Sequence, residues 1–187
     1  MDIEKFTIDK ERSCLLVIDI QERLFNSMEY EIRKNVVKNA GILIETAKVF
    51  GIPIIVTEQY SKGLGPTIPD VKQHIPDIVP LDKSHFDCMQ NEAISKKVID
   101  LQKRIVIICG IETHICVLYT ALALLRKGFN VVIASDAVCS RRTHEWKMGI
   151  RSLRDAGAIV YSTETISFML IGRSGTEEFK KLSPLFK

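Results

Sequence analysis

The sequence lacks the residue patterns that mark metal-binding, disulfide-rich and membrane proteins. Its five cysteines show no Cys-x-x-Cys spacing, and its four histidines form no His-Glu-x-x-His motif or other close pair. We therefore expect no disulfide framework, no metal and no other cofactor. No segment is apolar over the length that crosses a bilayer, so we expect no membrane partner.

Phosphate-binding glycines and clustered basic charge are missing as well. After Asp19 the chain continues Ile20-Gln21-Glu22-Arg23, whereas a dinucleotide-binding turn needs Gly-x-Gly-x-x-Gly there. The formal net charge is only +3, and basic residues are interspersed with acidic ones. No nucleic-acid partner is therefore expected, and nuclease activity is disfavoured. Residues 1–12 are too charged for a secretory signal peptide, so we expect a cytoplasmic protein.

The length and composition are typical of one folded domain. A chain of 187 residues with 46% hydrophobic and 26% charged residues buries enough apolar surface to offset chain entropy. Residues 1–187 are therefore predicted to form a single domain. Val- and Ile-rich runs alternate with segments of helical apolar spacing, as in a parallel sheet with crossover helices. The predicted strands are 14–19, 52–58, 104–110, 131–136 and 158–163, and the predicted helices are 32–47, 91–102, 114–127 and 144–156.

This alternation predicts a three-layer, doubly wound α/β domain with its functional site at the carboxyl ends of the strands. Asp19, Glu58, Gly110 and Asp136 lie at those predicted ends. Residues 59–84 contain several glycines and prolines. We predict that they form a long loop over the site, because long loops in compact domains are often functional.

Asp19 and Lys83 are the first two candidate site residues. Asp19 ends an otherwise apolar strand, where a carboxylate is either a helix-capping group or a functional base. Lys83 closes the predicted loop and is within reach of the same strand ends. Taken alone, a lysine beside an aspartate is typical of a surface residue.

Cys116 is the third candidate, in the first turn of the helix that follows the strand at 104–110. Free backbone N–H groups and the helix dipole at that position are expected to lower the thiol pKa. The alternative is a buried core cysteine, which is also how Cys14 and Cys109 are interpreted. Cys88 and Cys139 lie near loops and are weaker rivals for the nucleophile.

Three stretches carry a resemblance that spans nearly the whole chain. They are Leu16-Val17-Ile18-Asp19-Ile20-Gln21, Lys83 in a Lys-Ser-x-Phe stretch, and Gly110-Ile111-Glu112-Thr113 through Cys116-Val117, continued by Thr120-Ala121 and Ser135-Asp136-Ala137. In these residues the chain resembles the isochorismatase-like cysteine hydrolases, which include nicotinamidases and N-carbamoylsarcosine amidohydrolases.

The resemblance implies a six-stranded, mostly parallel sheet and a cis peptide bond between Ile111 and Glu112. It also implies a catalytic triad in which Asp19 takes the thiol proton, Lys83 stabilises the charged pair, and Cys116 attacks a carbonyl carbon. The backbone N–H groups of Glu112 and Cys116 would form the oxyanion hole. The implied activity is hydrolysis of a small amide, carbamoyl or related C–N substrate through a thioacyl-enzyme.

Two departures from relatives narrow the expected activity. Nicotinamidase-like members carry an Asp-x-His metal motif after the second strand, whereas this chain has Glu58-Gln59-Tyr60-Ser61, which argues against nicotinamidase activity. Relatives that cleave isochorismate lack the cysteine, so Cys116 argues against that reaction. The chain most resembles isochorismatase-domain proteins of undefined substrate.

Residues that flank the strand ends are predicted to bind the small-molecule substrate: Phe25, Gln59, Phe86, Glu112 and Thr113. Phe25 and Phe86 are equally well explained as core aromatics. A catalytically quiet member that binds a metabolite or a protein is the alternative to the hydrolase, since fold does not determine function.

Self-association is also expected. Phe168, Met169, Leu170 and Ile171 exceed what the core of one subunit is expected to need, and relatives commonly associate. We therefore predict a closed homo-oligomer.

Overall fold

The computed structural model describes residues 3–187 and contains a six-stranded sheet. Every neighbouring pair of strands is parallel, and the strand order is β3-β2-β1-β4-β5-β6. The strands are β1 (Ser13–Ile18), β2 (Ile54–Gln59), β3 (Leu81–Lys83), β4 (Ile105–Ile111), β5 (Asn130–Cys139) and β6 (Ile159–Tyr161). The doubly wound α/β prediction is confirmed, and the sheet is entirely rather than mostly parallel.

Helices cover both faces of the sheet and shield two apolar clusters. They are α1 (Glu22–Asn26), α2 (Tyr30–Val49), α3 (Ser61–Leu64), α4 (Pro69–Lys72), α5 (Glu92–Asp100), α6 (Leu118–Arg126), α7 (Thr143–Asp155), α8 (Thr163–Ile171) and α9 (Glu177–Leu182). Helices α2 and α8 pack on one face, and α5, α6 and α7 pack on the other. No helix among residues 3–187 is long and apolar enough to cross a membrane.

The two central strands, β1 and β4, are buried along their whole length. Burial on both faces explains why they read as continuous apolar runs rather than as alternating patterns. Gly110 pairs with Ile18 at φ 135°, and a Cβ there would lie 2.0 Å from the Ile18 carbonyl oxygen. Only glycine therefore allows the two strands to approach each other at this point.

The strand order reverses between β1 and β4, which makes their carboxyl ends the switch point of the sheet. Ligands of doubly wound proteins bind in the crevice at this place. Asp19 directly follows β1, and Glu112 directly follows β4. The topology thus brings together two site candidates that are far apart in the sequence.

The prediction of a long loop over residues 59–84 was wrong. The segment contains α3, α4 and the edge strand β3, and Ile68, Val71 and Ile75 are buried in a core cluster. A strand of three residues is too short to show an alternating pattern, and the prolines around it obscured it further. Lys83 therefore lies on a strand of the sheet rather than on a loop.

The predicted end of strand segment 131–136 was also wrong, because β5 continues to Cys139. Its register against β4 shifts, with Ile108 opposite Ile133 but Gly110 opposite Val138. Extra residues in β5 form an irregular segment that breaks the apolar periodicity. Asp136 lies within this bulge.

The apolar residues on which self-association was predicted are only partly buried, since Phe168 and Met169 remain 40% and 39% exposed. Ile171 is buried, and the ring of Phe168 packs edge-on against Phe179 and Phe186, with centroid distances of 6.3 and 5.6 Å. Apolar residues 168–171 are thus partly used inside the chain, against its C-terminal segment. The sequence could not reveal these partners, because their pairing is tertiary.

Candidate active site

Asp19 lies in a left-handed turn directly after β1, at φ 51°, and is fully buried. Both of its carboxylate oxygens accept hydrogen bonds. The Thr57 hydroxyl donates to Oδ1 at 2.7 Å, and Lys83 Nζ donates to Oδ2 at 2.7 Å. These contacts compensate the loss of water around a buried carboxylate.

Lys83 ends β3 and is only 1% exposed. Its ammonium donates to Asp19 Oδ2, to Gln59 Oε1 at 2.6 Å and to the His85 carbonyl at 3.2 Å. An ammonium has three N–H donors, so each of them has an acceptor. The amine is therefore held as a cation beside Asp19.

The pKa values of this pair follow from burial and from mutual attraction. Burial raises the pKa of Asp19, against the opposing charge of Lys83 and hydrogen bonds from Lys83, Thr57 and Cys116. Burial acts to lower the pKa of Lys83, but the charges of Asp19, Cys88 and Cys116 and the bond to Asp19 outweigh it, so that this pKa is raised. A carboxylate with a raised pKa is a better proton acceptor than an exposed one.

Cys116 lies in the π-helical turn Thr113–Val117 that precedes α6 and is 5% exposed. Burial raises the pKa of its thiol, the Asp19 charge and a hydrogen bond with Asp19 raise it further, and Lys83 only partly offsets them. The expectation of a lowered thiol pKa was wrong, since burial of the thiol and the neighbouring Asp19 charge raise it. The raised pKa favours a neutral Cys116 thiol beside the Asp19 carboxylate.

The backbone around Cys116 is compact. The peptide bond between Ile111 and Glu112 is cis, and the Glu112 carbonyl accepts the backbone N–H groups of Ile115 and Val117 at 3.1 and 3.2 Å. A Cβ at Gly149 of α7 would meet the Thr113 methyl at 3.0 Å and the backbone of the turn at 3.1 Å. Helix α7 therefore packs directly against the turn that carries the cysteine.

Sequence reasoning missed Thr57 and underrated Cys88. Besides donating to Asp19, the Thr57 hydroxyl accepts from the Cys88 thiol at 3.9 Å, and the Cys88 backbone N–H donates to the Thr120 hydroxyl of α6 at 3.0 Å. Cys88 is fully buried, and burial raises its pKa to about 12. The polar Thr57 within the otherwise apolar run of β2 was the feature of the sequence that could have identified it as a site residue.

Two predicted substrate contacts, Gln59 and Thr113, are buried inside the protein. The Gln59 side chain accepts from Lys83 and donates to the Ser84 carbonyl at 2.7 Å, so it positions Lys83 rather than facing a ligand. Thr113 is fully buried, and its hydroxyl has no hydrogen-bond partner among residues 3–187. The sequence pattern did not reveal that both side chains point inward.

The two predicted aromatic contacts differ. Phe25 packs against a core cluster, with the Arg33 guanidinium 5.7 Å from its ring centroid, which agrees with the core alternative. Phe86 follows Lys83 by three residues and is 53% exposed. Phe86 is thus the aromatic candidate that remains open to solvent near the site.

Glu112 connects the cysteine turn to the segment after β5. Its Oε1 accepts from the backbone N–H and from Nε of Arg141 at 3.0 and 3.1 Å, and the His114 ring hydrogen-bonds the Ser140 hydroxyl at 2.9 Å. A cavity of about 210 Å³ opens beside Glu112, His114 and Arg141. Among residues 3–187 no group of three or more His, Cys, Asp or Glu side chains is arranged to hold a metal ion.

The fold and this site define a class of protein: a doubly wound α/β protein with a buried aspartate–lysine pair and an adjacent cysteine at the switch point of its sheet. The chain belongs to the isochorismatase family. The sequence model of the isochorismatase domain matches residues 13–165, and homologues and structural neighbours carry the same family name, which confirms the resemblance.

Three similar proteins illustrate the family. The chain is 35% identical over 179 residues to the secreted isochorismatase effector Isc1 of Phytophthora sojae, covering 94% of this chain and 84% of that protein. A Caenorhabditis elegans structure described as MAR1 ribonuclease has a TM-score of 0.87 at 34% identity, covering 96% and 91% of the two chains. The Escherichia coli YcaC gene product, described as an octameric hydrolase of unknown specificity, has a TM-score of 0.87 at 27% identity, covering 96% and 89%.

Breaking the Asp19–Lys83 pair is expected to be costly for stability. Asp19→Asn or Lys83→Met leaves the other charge buried and unpaired, which typically lowers the free energy of unfolding by about 3–5 kcal/mol. The double variant should lose much less than the sum of the two, because it removes both charges. Urea unfolding measures all three. The matched control is Lys96 and Asp100, also 2.7 Å apart but exposed, where substitution should change little; additive losses at the buried pair would contradict the coupling.

The alkylation of Cys116 should report its raised pKa. Cys116 is 5% exposed and the other four cysteines are 0–2% exposed, so iodoacetamide should label Cys116 first. The rate should keep rising above pH 9, because little thiolate forms below the raised pKa. Asp19→Asn removes the neighbouring negative charge and should move the rate profile to lower pH. Peptide mass spectrometry measures both, and a wild-type rate that reaches its plateau below pH 8 would refute the assignment.

Proposed function

We propose that the chain is a cysteine-dependent hydrolase of a small amide, carbamoyl or related C–N substrate, with Cys116 as nucleophile. The observation that carries the proposal is the buried Asp19 carboxylate, which Thr57 and Lys83 hold and which lies close enough to the Cys116 thiol to raise its pKa. A buried base beside a buried thiol is the arrangement that nucleophilic catalysis needs. Membership of a family that contains hydrolases supports the proposal.

In the first half of the proposed reaction, the Cys116 thiol transfers its proton to Asp19 while the sulfur attacks the substrate carbonyl carbon. The carbonyl oxygen becomes an oxyanion, which the backbone N–H groups of Glu112 and Cys116 stabilise. When the tetrahedral intermediate collapses, the C–N bond breaks and the leaving amine takes the proton from Asp19. A thioacyl-enzyme and a free amine result.

In the second half, a water molecule gives a proton to Asp19, and the water oxygen attacks the thioacyl carbon. Collapse of this intermediate breaks the C–S bond, and the departing sulfur recovers the proton from Asp19 as the acid product leaves. Lys83 stays protonated throughout and stabilises the Asp19 carboxylate whenever that group is ionised. Gln59 and Thr57 orient Lys83 and Asp19 and do not touch the substrate.

Experiments with a panel of substrates distinguish the proposed hydrolysis of C–N bonds from the alternative activities. The relative described as a ribonuclease makes RNA a necessary member of the substrate panel, and the relative described as an isochorismatase effector does the same for isochorismate. The principal alternative is a quiet member that binds a metabolite or protein without turnover. A cytoplasmic location stays a prediction, since one relative is described as secreted.

Substitution in the triad should separate catalysis from binding. On a panel of small amides, carbamoyl compounds, isochorismate and RNA, we expect turnover of an amide or carbamoyl compound and a trapped Cys116 adduct by mass spectrometry. Cys116→Ala should abolish turnover, and Asp19→Asn should nearly abolish it although it lowers the thiol pKa. Cys109→Ala, at a buried strand cysteine, is the matched control.

Turnover should survive exhaustive chelation. Full activity of Cys116→Ala, or chelator inhibition rescued by zinc, would refute the mechanism.

We also propose that the chain forms a closed homo-oligomer, as the E. coli neighbour described as octameric does. The support comes from that neighbour and from the exposed apolar side chains of Phe168 and Met169. Light scattering at micromolar protein concentration should give a multiple of the 21.2 kDa chain mass. A monomeric mass would refute it.

A further inference from the structure

A second cavity, of about 300 Å³, lies apart from the triad. It opens between α2, the bulged end of β5 and the first turn of α7, and none of Asp19, Lys83 or Cys116 lines it. Its volume is at the lower end of the range of small-molecule sites. The hydrogen-bonding groups that line this cavity without a partner indicate which class of molecule the cavity would bind.

Three polar side chains that line this cavity, Asn39, Asp136 and Ser135, leave hydrogen-bond acceptors free, whereas Asn35 and Thr143, which also line it, are exposed and retain donors. The Asn39 amide nitrogen donates to the Asp136 carbonyl at 3.0 Å, and since a carbonyl only accepts, the Asn39 amide oxygen is the atom left over. Asp136 Oδ1 accepts from the backbone N–H and the hydroxyl of Thr163, both at 2.8 Å. Asp136 Oδ2 has no partner among residues 3–187. The Ser135 hydroxyl donates its hydrogen to the Tyr161 carbonyl, which leaves another acceptor.

The charge of the lining residues also favours a ligand that donates hydrogen bonds and carries positive charge. Asp136 is the one charged residue that lines the cavity, and no lysine, arginine or histidine lines it. A half-buried carboxylate with an unused oxygen favours a partner that brings both positive charge and several donors. A primary ammonium group meets both conditions, with three N–H donors and no acceptor.

The remaining walls are apolar. Ile32 and Val36 of α2, Val138 of β5 and Trp146 of α7 line the cavity. They suit a short hydrocarbon or aromatic body, and an indole ring adds attraction for a cation nearby. We propose that this cavity is a binding site for a small primary ammonium compound, with its cation on Asp136 and Asn39 and its apolar body against α2 and Trp146. The site is independent of the proposed hydrolase activity.

Matched probes isolate the contribution of the charge. Isothermal titration of the wild-type protein, in its native oligomeric state, would compare benzylammonium and isobutylammonium with benzyl alcohol and isobutanol, which have similar shapes but no charge. A charged hydrogen bond typically contributes about 1.5–3 kcal/mol, so the ammonium compounds should bind at least about tenfold more tightly. Prior alkylation of Cys116 should leave this binding unchanged, which separates the cavity from the triad.

Two variants test the assignment to this cavity. Asp136→Asn keeps an oxygen for Thr163 but replaces the free oxygen with an amide donor, and should weaken ammonium binding at least about tenfold. Ile32→Trp fills the cavity without touching Asp136 and should abolish binding even if Asp136→Asn fails to fold. Asp77→Asn, at an exposed acid outside the lining, should change nothing. Equal affinity for alcohols and ammonium compounds, or no binding to the wild type because a second copy of the chain covers the cavity, would overturn the proposal.

Discussion

The buried ion pair of Asp19 and Lys83 is the interaction on which the rest of the site depends. Removing two charges from water is costly, and their attraction compensates only when every remaining donor and acceptor is also satisfied. Lys83 therefore needs Gln59 and the His85 carbonyl as well as Asp19, and Asp19 needs Thr57. These requirements draw the carboxyl ends of β1, β2 and β3 together and explain the polar side chains inside an otherwise apolar sheet.

The same pair determines where protons reside near Cys116. Burial of the thiol and the charge of the Asp19 carboxylate raise the Cys116 pKa, which favours the neutral thiol. The attacking group would thus be generated when substrate is present rather than stored as a thiolate. Close packing of α7 at Gly149 and the Glu112–Arg141 contact hold the cysteine turn in place around this pair.

Whether the sequence predicted a strand or helix correctly depended on how strongly burial shaped its pattern of apolar residues. Strands β1 and β4 were predicted because burial on both faces makes them continuous apolar runs, and helix α2 because one buried face imposes a helical apolar spacing. Strand β3 was missed because three residues carry no periodicity, and the extension of β5 was missed because its bulge breaks the pattern. For the site, strand-end position and family motifs identified Asp19 and Cys116, whereas Lys83 was assigned to a loop instead of a strand.

By itself, the sequence determined the doubly wound α/β class, the placement of candidate residues at strand ends and the family, because periodicity and motif spacing are local properties of the chain. Only the tertiary structure decided that Thr57 and Cys88 join the site, that Gln59 faces Lys83, and that the Cys116 pKa is raised. Hydrogen-bond partners and pKa values depend on burial and on charges contributed by distant segments, and these exist only once the chain has folded.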